Sequence, residues 1–159
     1  ILRQKNIYIG NNCWIYKNAR LETVSKWGAQ QLHGELHIKD GVSFEQGCHI
    51  VAASKLVIEE GCTISANVYI SDCGHSHEKP NQDVMKQELN VKSVYIGKNS
   101  FIGYGACVLS GAHIGQGCII GANAVVKGTI PDYSIAVGVP AKIIKQYNFT
   151  TNQWEKYTE

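Results

Sequence analysis

The segment from Val94 to Val126 reads VYIGKNSFIGYGACVLSGAHIGQGCIIGANAVV. An aliphatic side chain occupies every sixth position, at Ile96, Ile102, Val108, Ile114, Ile120 and Val126. The residue two positions earlier is small or branched, at Val94, Ser100, Ala106, Ala112, Cys118 and Ala124. Because strand side chains alternate between two faces, both positions of each unit point to the same side. The period predicts a short strand and a turn every six residues, wound around a shared core.

The same register continues through the first half of the chain if insertions are allowed. Its positions group in threes, at Ile9, Ile15, Leu21, then Ile38, Phe44, Ile50, then Ile58, Ile64, Ile70. Three units make one coil, so we predict an all-β fold of about five coils of about 18 residues. The coils begin at Ile9, Ile38, Ile58, Ile96 and Ile114. Glycines after the aliphatic residue, such as Gly97 and Gly103, are expected at corners, because glycine tolerates left-handed backbone angles.

Three insertions interrupt this register, at residues 23–33, 52–55 and 72–92. Each falls between the third unit of one coil and the first unit of the next. If three units form a triangular coil, all three insertions leave the prism from one edge. We therefore expect the functional loops on that edge, because sites are commonly built on loops carried by a rigid scaffold.

Size and charge exclude several classes of protein. The chain has 159 residues and a formal net charge of +2 that is spread along the sequence, so no basic run predicts nucleic-acid binding. No apolar stretch approaches the roughly 20 residues of a membrane span, and the first residues lack the order of a signal peptide. We expect one cytoplasmic domain over residues 1–159 with small-molecule partners.

The cysteines and the C-terminal tail both fit the repeat. Cys13, Cys48, Cys62 and Cys118 fall at the small inward position, and no pair has C-x-x-C spacing, so we interpret them as core residues and predict no metal site. A coiled prism needs its ends covered. Residues 141–157, with apolar side chains at Ile143, Ile144 and Tyr147, are expected to form a short helix or a packed extension at one end.

The repeats, the histidine-bearing insertion and the segment Gly138-Val139-Pro140-Ala141-Lys142 together resemble the hexapeptide-repeat acyltransferases. The resemblance covers nearly the whole chain and is greatest to the maltose, galactoside and cell-surface polysaccharide O-acetyltransferases. It implies a left-handed parallel β-helix, acetyl-CoA as the acyl donor, and a homotrimer with sites between subunits. It also implies transfer of an acetyl group to a hydroxyl of a sugar or of a polysaccharide precursor.

The resemblance assigns the catalytic role to His75, in Asp72-Cys73-Gly74-His75-Ser76 at the start of the longest insertion. A histidine suits general base catalysis because its ordinary pKa of about 6.5 leaves it neutral near pH 7. His77 is the alternative base. Asp72 is a candidate to orient the imidazole, or else an ordinary turn residue. Glu45 falls where relatives carry a polar residue that orients the acceptor.

The resemblance places the CoA site in the last coils. Backbone groups at Gly103-Tyr104 and Gly121-Ala122 correspond to those that hold the pantetheine arm, with Lys127 nearby. Lys142 and Lys145 stand where relatives carry cations for the CoA phosphates. Glycines at these positions are equally explained by turn geometry.

Three alternatives remain open at this point. A carbonic-anhydrase-like enzyme of the same fold would need three converging histidines, but the residue five after His113 is Cys118, which the register directs into the core. A scaffolding trimer would bind no CoA. An N-acetyltransferase of an amino sugar nucleotide would use the same donor. The acceptor itself is not specified, although Trp27, His33 and His37 are candidates to stack on or hydrogen-bond to a sugar ring.

Overall fold

A computed structural model describes residues 5–158, so the outer limits of the predicted domain, at residues 1 and 159, lie outside the described residues. Three sheets form the faces of a prism. The six-stranded sheet contains Ile7–Ile9, Glu35–Ile38, Lys55–Ile58, Val94–Ile96, His113–Ile114 and Thr129–Ile130. The eight-stranded sheet contains Trp14–Ile15, Ser43–Phe44, Thr63–Ile64, Phe101–Ile102, Ile119–Ile120, Ser134–Val137, Lys142–Asn148 and Gln153–Lys156. The five-stranded sheet contains Arg20–Thr23, His49–Ala52, Tyr69–Ser71, Cys107–Val108 and Val125–Val126.

The strand register confirms the predicted coils. In the six-stranded sheet the parallel partners run through Ile9, Ile38, Ile58, Ile96, Ile114 and Ile130. The first five of these are the predicted coil starts. Thr129–Ile130 and Ser134–Val137 add part of a sixth coil, which the six-residue count did not include. Each coil therefore stacks like residue on like residue.

The inward positions form one continuous core. Phe44, Ile64 and Ile102, from three successive coils of the eight-stranded sheet, are fully buried. Cys48, Cys62 and Cys118 are also fully buried, and Cys13 packs against the same core. Burial raises the pKa of the Cys62 thiol to about 11, so this thiol stays protonated and unreactive. The interpretation of these four cysteines as core residues is confirmed.

The glycines at the corners serve two different purposes. Gly105 and Gly117 have a positive φ, of 65° and 60°. Gly97 and Gly103 do not, and a Cβ atom at Gly103 would lie 2.7 Å from the carbonyl oxygen of Ile120 in the next coil. Asparagines, including Asn99 with a φ of 55°, supply other left-handed corners. The glycine after the aliphatic residue is therefore explained by close coil stacking rather than by backbone angle.

The three insertions meet on one edge, as predicted. The first contains the hairpin Lys26–Trp27 with Gln30–Gln31, and the third contains Cys73–His75 paired with Leu89–Val91 and the 3₁₀ turn Val84–Lys86. Leu32, Ala53 and Leu89, one from each insertion, form a second small apolar cluster. The loops thus have their own packed base on the prism.

The helical alternative for the C-terminal tail is wrong. Lys142–Asn148 and Gln153–Lys156 form an antiparallel hairpin that continues the eight-stranded sheet from Ser134–Val137. The last strand of the prism leaves an unpaired edge, and pairing with the tail satisfies its backbone groups. Within residues 5–158 no helix is long and apolar enough to cross a membrane.

Candidate functional site

His75 is held by backbone hydrogen bonds at the edge that carries the insertions. It ends the strand Cys73–His75, where it lies opposite Leu89 in the antiparallel pair. The next amide, of Ser76, donates to the carbonyl oxygen of Glu88 at 3.0 Å. Although its backbone is fixed in this way, His75 is exposed. This combination presents an imidazole to solvent, or to a ligand, from a defined position.

Trp27 supports the His75 ring from the first insertion. The two ring centroids lie 5.0 Å apart with an edge-on angle of 62°. The indole Nε1 donates to the carbonyl oxygen of Gln87 at 2.9 Å, which fixes the position of the indole. Gln30 bridges the same two loops, because its amide donates to Leu89 O at 3.1 Å and accepts from Leu89 N at 2.8 Å. The first insertion therefore braces the hairpin that carries the histidine.

Asp72 precedes His75 by three residues and is fully buried. Its carboxylate accepts from the amides of Ala53 at 2.6 Å and of Ser54 at 2.8 Å. Burial raises the pKa of the Asp72 carboxyl, although both of these hydrogen bonds act in the opposite direction. Among the described residues, no hydrogen bond joins Asp72 to His75. The structure thus places Asp72 as an anchor of the second insertion and does not bring it to the imidazole.

We expect Asp72→Ala to lower the free energy of unfolding by about 1–3 kcal/mol, because the buried amide of Ala53 and the partly buried amide of Ser54 lose their acceptor. Glu78→Ala, an exposed change in the same loop, should alter it by less than about 0.5 kcal/mol. A raised pKa in the folded state gives stabilisation that is complete below the ordinary carboxyl pKa and is lost as pH rises through the raised value. Urea unfolding should therefore show a larger difference between wild type and Asp72→Ala at about pH 4 than at about pH 8. Equal stability of the two proteins at both pH values would contradict this role.

Five predicted site residues lie on a different edge of the prism. Residues 45, 65, 103 and 121 lie one above another in successive coils and form a column. The amide of each donates to a carbonyl oxygen of the next coil, from Glu45 N to Ile64 O at one end to Gly121 N to Ala136 O at the other. This column follows the eight-stranded sheet, whereas His75 follows the five-stranded sheet. It brings together Glu45, Gly103, Tyr104, Gly121 and Ala122.

Side chains on this second edge are engaged with one another. The Glu45 carboxylate accepts from Ser65 Oγ at 3.2 Å and from Ala66 N at 3.1 Å. Tyr104, half-exposed, accepts at its hydroxyl from Asn67 Nδ2 at 3.0 Å. A Cβ atom at Gly121 would lie 2.8 Å from Val137 Cγ1 in the last coil. The edge is thus a shallow, closely packed surface with little space for side chains at its glycines.

The predicted cations differ in their positions. Lys142 and Lys145 are exposed on the C-terminal hairpin, where Lys142 pairs with Val137 and Lys145 lies opposite Lys156. Among residues 5–158, Lys142, Lys145 and Lys156 form no ion pair. Lys127 follows the five-stranded sheet and is exposed on the edge of the insertions. Lys142 therefore extends the column of the second edge, Lys145 lies opposite Ile135 on the adjoining face of the same sheet, and Lys127 lies on the edge of the insertions.

A pocket of about 390 Å³ lies between the first and third insertions. Trp27 and Gln30 line one side of it, and Ser76, Lys79 and Gln87 line the other. His77 is exposed in the same loop, two residues beyond His75. Within the described residues, no three His, Cys, Asp or Glu side chains are grouped so that they could hold a metal ion.

The contacts from Trp27 and Gln30 to the third insertion were not foreseen. They join residues 59 and 60 positions apart in the chain. No local pattern in the sequence signals such a pairing. The expectation that all three insertions share one edge indicates that the first and third lie close together, but it does not identify the residues in contact.

Comparisons with known proteins agree with this architecture. The family profile described as bacterial transferase hexapeptide (six repeats) matches residues 93–128, and that of the hexapeptide repeat of succinyl-transferase matches residues 57–72. WbbJ of Escherichia coli (strain K12), assigned as a lipopolysaccharide biosynthesis O-acetyl transferase, is 36% identical over 130 residues, which cover 77% of this chain and 66% of WbbJ. This chain thus spans slightly less than two thirds of that relative.

Two further proteins extend the comparison. The dTDP-4-amino-4,6-dideoxy-D-glucose acyltransferase of Escherichia coli is 32% identical over 146 residues, covering 89% of this chain and 72% of that enzyme. The crystal structure of the hexapeptide-repeat acetyltransferase VCA0836 from Vibrio cholerae in complex with acetyl coenzyme A superposes with a TM-score of 0.68 at 16% identity, covering 89% of this chain and 71% of VCA0836. The fold is the left-handed parallel β-helix of these proteins. The chain belongs to the hexapeptide-repeat transferase family.

Proposed function

We propose that this chain is an acetyl-CoA-dependent O-acetyltransferase that acts on a hydroxyl of a sugar or of a cell-surface polysaccharide precursor. The observation that carries the proposal is the exposed His75 on a braced hairpin, at the edge where all three insertions meet. The similarity to WbbJ supports the acetyl group and the saccharide class. The acetyl coenzyme A bound by VCA0836 supports the donor.

In the proposed reaction His75 acts as general base. Its neutral imidazole accepts the proton of the acceptor hydroxyl while that oxygen attacks the thioester carbonyl carbon. The tetrahedral intermediate collapses, the carbon–sulfur bond breaks, and the thiolate of CoA takes up the proton from the imidazolium. A backbone amide lining the groove stabilises the transient oxyanion. No covalent acyl-enzyme is required.

The separation of the candidate residues supports a site shared between subunits. His75 lies on the edge of the insertions, and the column from Glu45 to Ala122 lies on another edge of the same prism. One chain therefore does not join the proposed base to the proposed CoA groove. In a homotrimer the insertion edge of one subunit would face the second edge of its neighbour. We propose this arrangement, in the cytoplasm and within one domain, with Glu45 and His77 contacting the acceptor and Lys127 near the donor.

A second candidate is N-acylation of an amino sugar nucleotide. It is favoured by the 32% identity to an acyltransferase whose name specifies such a substrate and of which this chain covers 72%. The same base and donor would serve, with an amine as the nucleophile. The product distinguishes the two reactions, because an ester is cleaved by hydroxylamine and an amide is not.

A thiol-release assay of the purified protein with acetyl-CoA tests the proposal. The acceptor panel should contain simple sugars, nucleotide sugars, amino sugar nucleotides and polysaccharide fragments. We expect acceptor-dependent release of CoA with a hydroxylamine-sensitive product. Release only with amino sugar nucleotides would favour the second candidate, and no release with any acceptor would reject both.

The lysines of the C-terminal hairpin are expected to bind the phosphates of CoA. Lys142→Ala and Lys145→Ala should each raise KM for acetyl-CoA by about tenfold, because a phosphate loses a cationic partner. Lys26→Ala, an exposed change in the first insertion, serves as the control and should leave KM unchanged. With 3′-dephospho-acetyl-CoA as the donor, replacing the lysine that contacts the 3′-phosphate should no longer raise KM. Unchanged KM in both variants would remove these residues from the donor site.

A further inference from the structure

The outward face of the six-stranded sheet carries one column of side chains. Strand register places one residue per coil in it, at Tyr8, His37, Val57, Tyr95, His113 and Thr129. Tyr8 stacks on His37 with ring centroids 4.7 Å apart and an interplanar angle of 18°, and Tyr95 stacks on His113 at 4.8 Å and 17°. These separations match the strand spacing of about 4.8 Å, so the rings stack along the prism axis.

Val57 leaves a gap between the two stacked pairs. His37 and Tyr95 stand on its two sides, two coils apart, so their free ring faces lie about 9.6 Å from each other. A cleft of about 470 Å³ opens at this point, with Val57 as its floor and the two rings as its walls. The rings cannot close the gap, because each is held on its other face by its stacking partner. His37 is also held by a 3.0 Å contact from its Nε2 to Glu35 Oε2.

Polar groups border the cleft on its two open sides. Lys55 and Ser93 lie two residues before the central column, and Lys39 and Glu59 lie two residues after it. Residues two apart on a strand share a face, so all four are on the same surface as the rings. The cleft thus has aromatic rings as walls above and below and charged or hydroxyl groups at its two sides.

We propose that this cleft binds a pyranose ring of a saccharide. Each aromatic ring has a half-thickness of about 1.7 Å, so about 6 Å of free space separates the two ring surfaces. A pyranose chair with axial C–H bonds on both faces is about 5 Å thick, so it fills most of this space and directs C–H bonds at both rings. A flat nucleobase would contact one wall only. The equatorial hydroxyls of the sugar point sideways toward the Lys, Glu and Ser side chains.

The position of the cleft relates it to the insertion edge. Lys55 is the last residue of the second insertion and Ser93 follows the third directly, and Ser54 Oγ lies 3.4 Å from Ser93 Oγ. A saccharide seated in the cleft therefore continues toward the edge that carries His75. The cleft is a second subsite, beyond the residue that is acetylated, and only this last relation rests on the proposed function.

Saturation-transfer NMR and titration with methyl glucoside, methyl galactoside and maltotriose test the proposal, with uridine as the flat-ring probe. We expect saturation transfer to the ring protons of at least one saccharide and little to uridine. His37→Ala and Val57→Phe should weaken saccharide binding by about tenfold, by removing a wall and by filling the gap. Phe101→Ala removes an exposed ring from the outward face of the eight-stranded sheet, outside the cleft, and should leave binding unchanged.

Several outcomes would overturn the cleft. These are no saturation of any saccharide, equal binding of uridine, an equal loss of binding in Phe101→Ala, or a lower oligomeric state of Val57→Phe in sedimentation, which would make this face a contact between chains. Circular dichroism confirms that each variant is folded. Acetyl transfer to a monosaccharide is measured in parallel and should persist in Val57→Phe. If the wild-type protein binds a saccharide but transfers no acetyl group, the proposed function is rejected and the proposed saccharide site in the cleft is retained.

Discussion

His75→Ala is expected to lower kcat for acetyl transfer by about 10²- to 10⁴-fold, the range contributed by a positioned general base. Loss of the imidazole leaves the acceptor hydroxyl protonated at the moment of attack. CoA is proposed to be held by backbone groups and lysines of the second edge and not by His75, so the Kd for CoA, measured by calorimetry, should stay within about twofold of wild type. The acceptor for this measurement is the sugar with the highest thiol release in the panel.

His77→Ala is the matched control for this change. It removes an exposed histidine from the same loop, two residues away, without altering the strand that ends at His75. We expect it to keep most of the wild-type kcat and to raise only KM for the acceptor, which His77 is proposed to contact. If the losses were reversed, with His77→Ala inactive and His75→Ala active, the base would be His77. If both variants were active, the loop would not supply the base.

Phe44→Ala is expected to lower the free energy of unfolding by about 3–5 kcal/mol, because it empties a large volume in a close-packed core. Phe44 is fully buried and stacks between Ile15 and Ile64 of the neighbouring coils. Each coil contacts only its neighbours and cannot move into the empty volume without breaking the stacked register. The cavity left by the substitution therefore stays open. Denaturant unfolding followed by circular dichroism measures the change.

Phe101→Ala provides the comparison for Phe44→Ala. Phe101 lies in the same sheet but at the outward position, and it is 42% exposed. Its removal should change the unfolding free energy by less than about 1 kcal/mol. Similar losses in the two variants would contradict the assignment of inward and outward faces that the six-residue period provides.

The repeat was predictable because the same six-residue pattern recurs in every coil. A buried aliphatic side chain at each sixth position specifies the register, and the observed partners of Ile96 and Ile114 follow it without a shift. The insertions were placed on one edge by the same count. The common apolar base formed by Leu32, Ala53 and Leu89 is the packing consequence of that placement.

The tail and the loop contacts were not predictable for two different reasons. The apolar residues Ile143 and Tyr147 are spaced by four, which suits both a helix turn and alternate positions of a strand. The free edge of Ser134–Val137 decides between them, and that edge exists only once the prism is formed. The hydrogen bonds from Trp27 and Gln30 to the third insertion depend on how two irregular loops meet in space. Side-chain type alone carries no information on that meeting.

In the candidate site, too, one feature was predictable from the sequence and another was not. The position of His75 on an exposed hairpin strand agrees with its expected place at the start of the longest insertion. The expected pairing of Asp72 with the imidazole is not found among the described residues, because the carboxylate turns inward to the amides of Ala53 and Ser54. A buried strand end with free neighbouring amides captures a carboxylate, and the sequence does not show which amides are free.

The most direct test of the account is the fate of an isotopically labelled acetyl group in a single turnover. Wild-type protein, labelled acetyl-CoA and the acceptor identified by thiol release are mixed, and both protein and sugar are analysed by mass spectrometry. We predict that the label appears as a hydroxylamine-sensitive ester on the sugar, that none is attached to the protein, and that His75→Ala leaves it on CoA. Label bound covalently to the protein, or transfer at the wild-type rate by His75→Ala, would contradict direct acetyl transfer with His75 as the base.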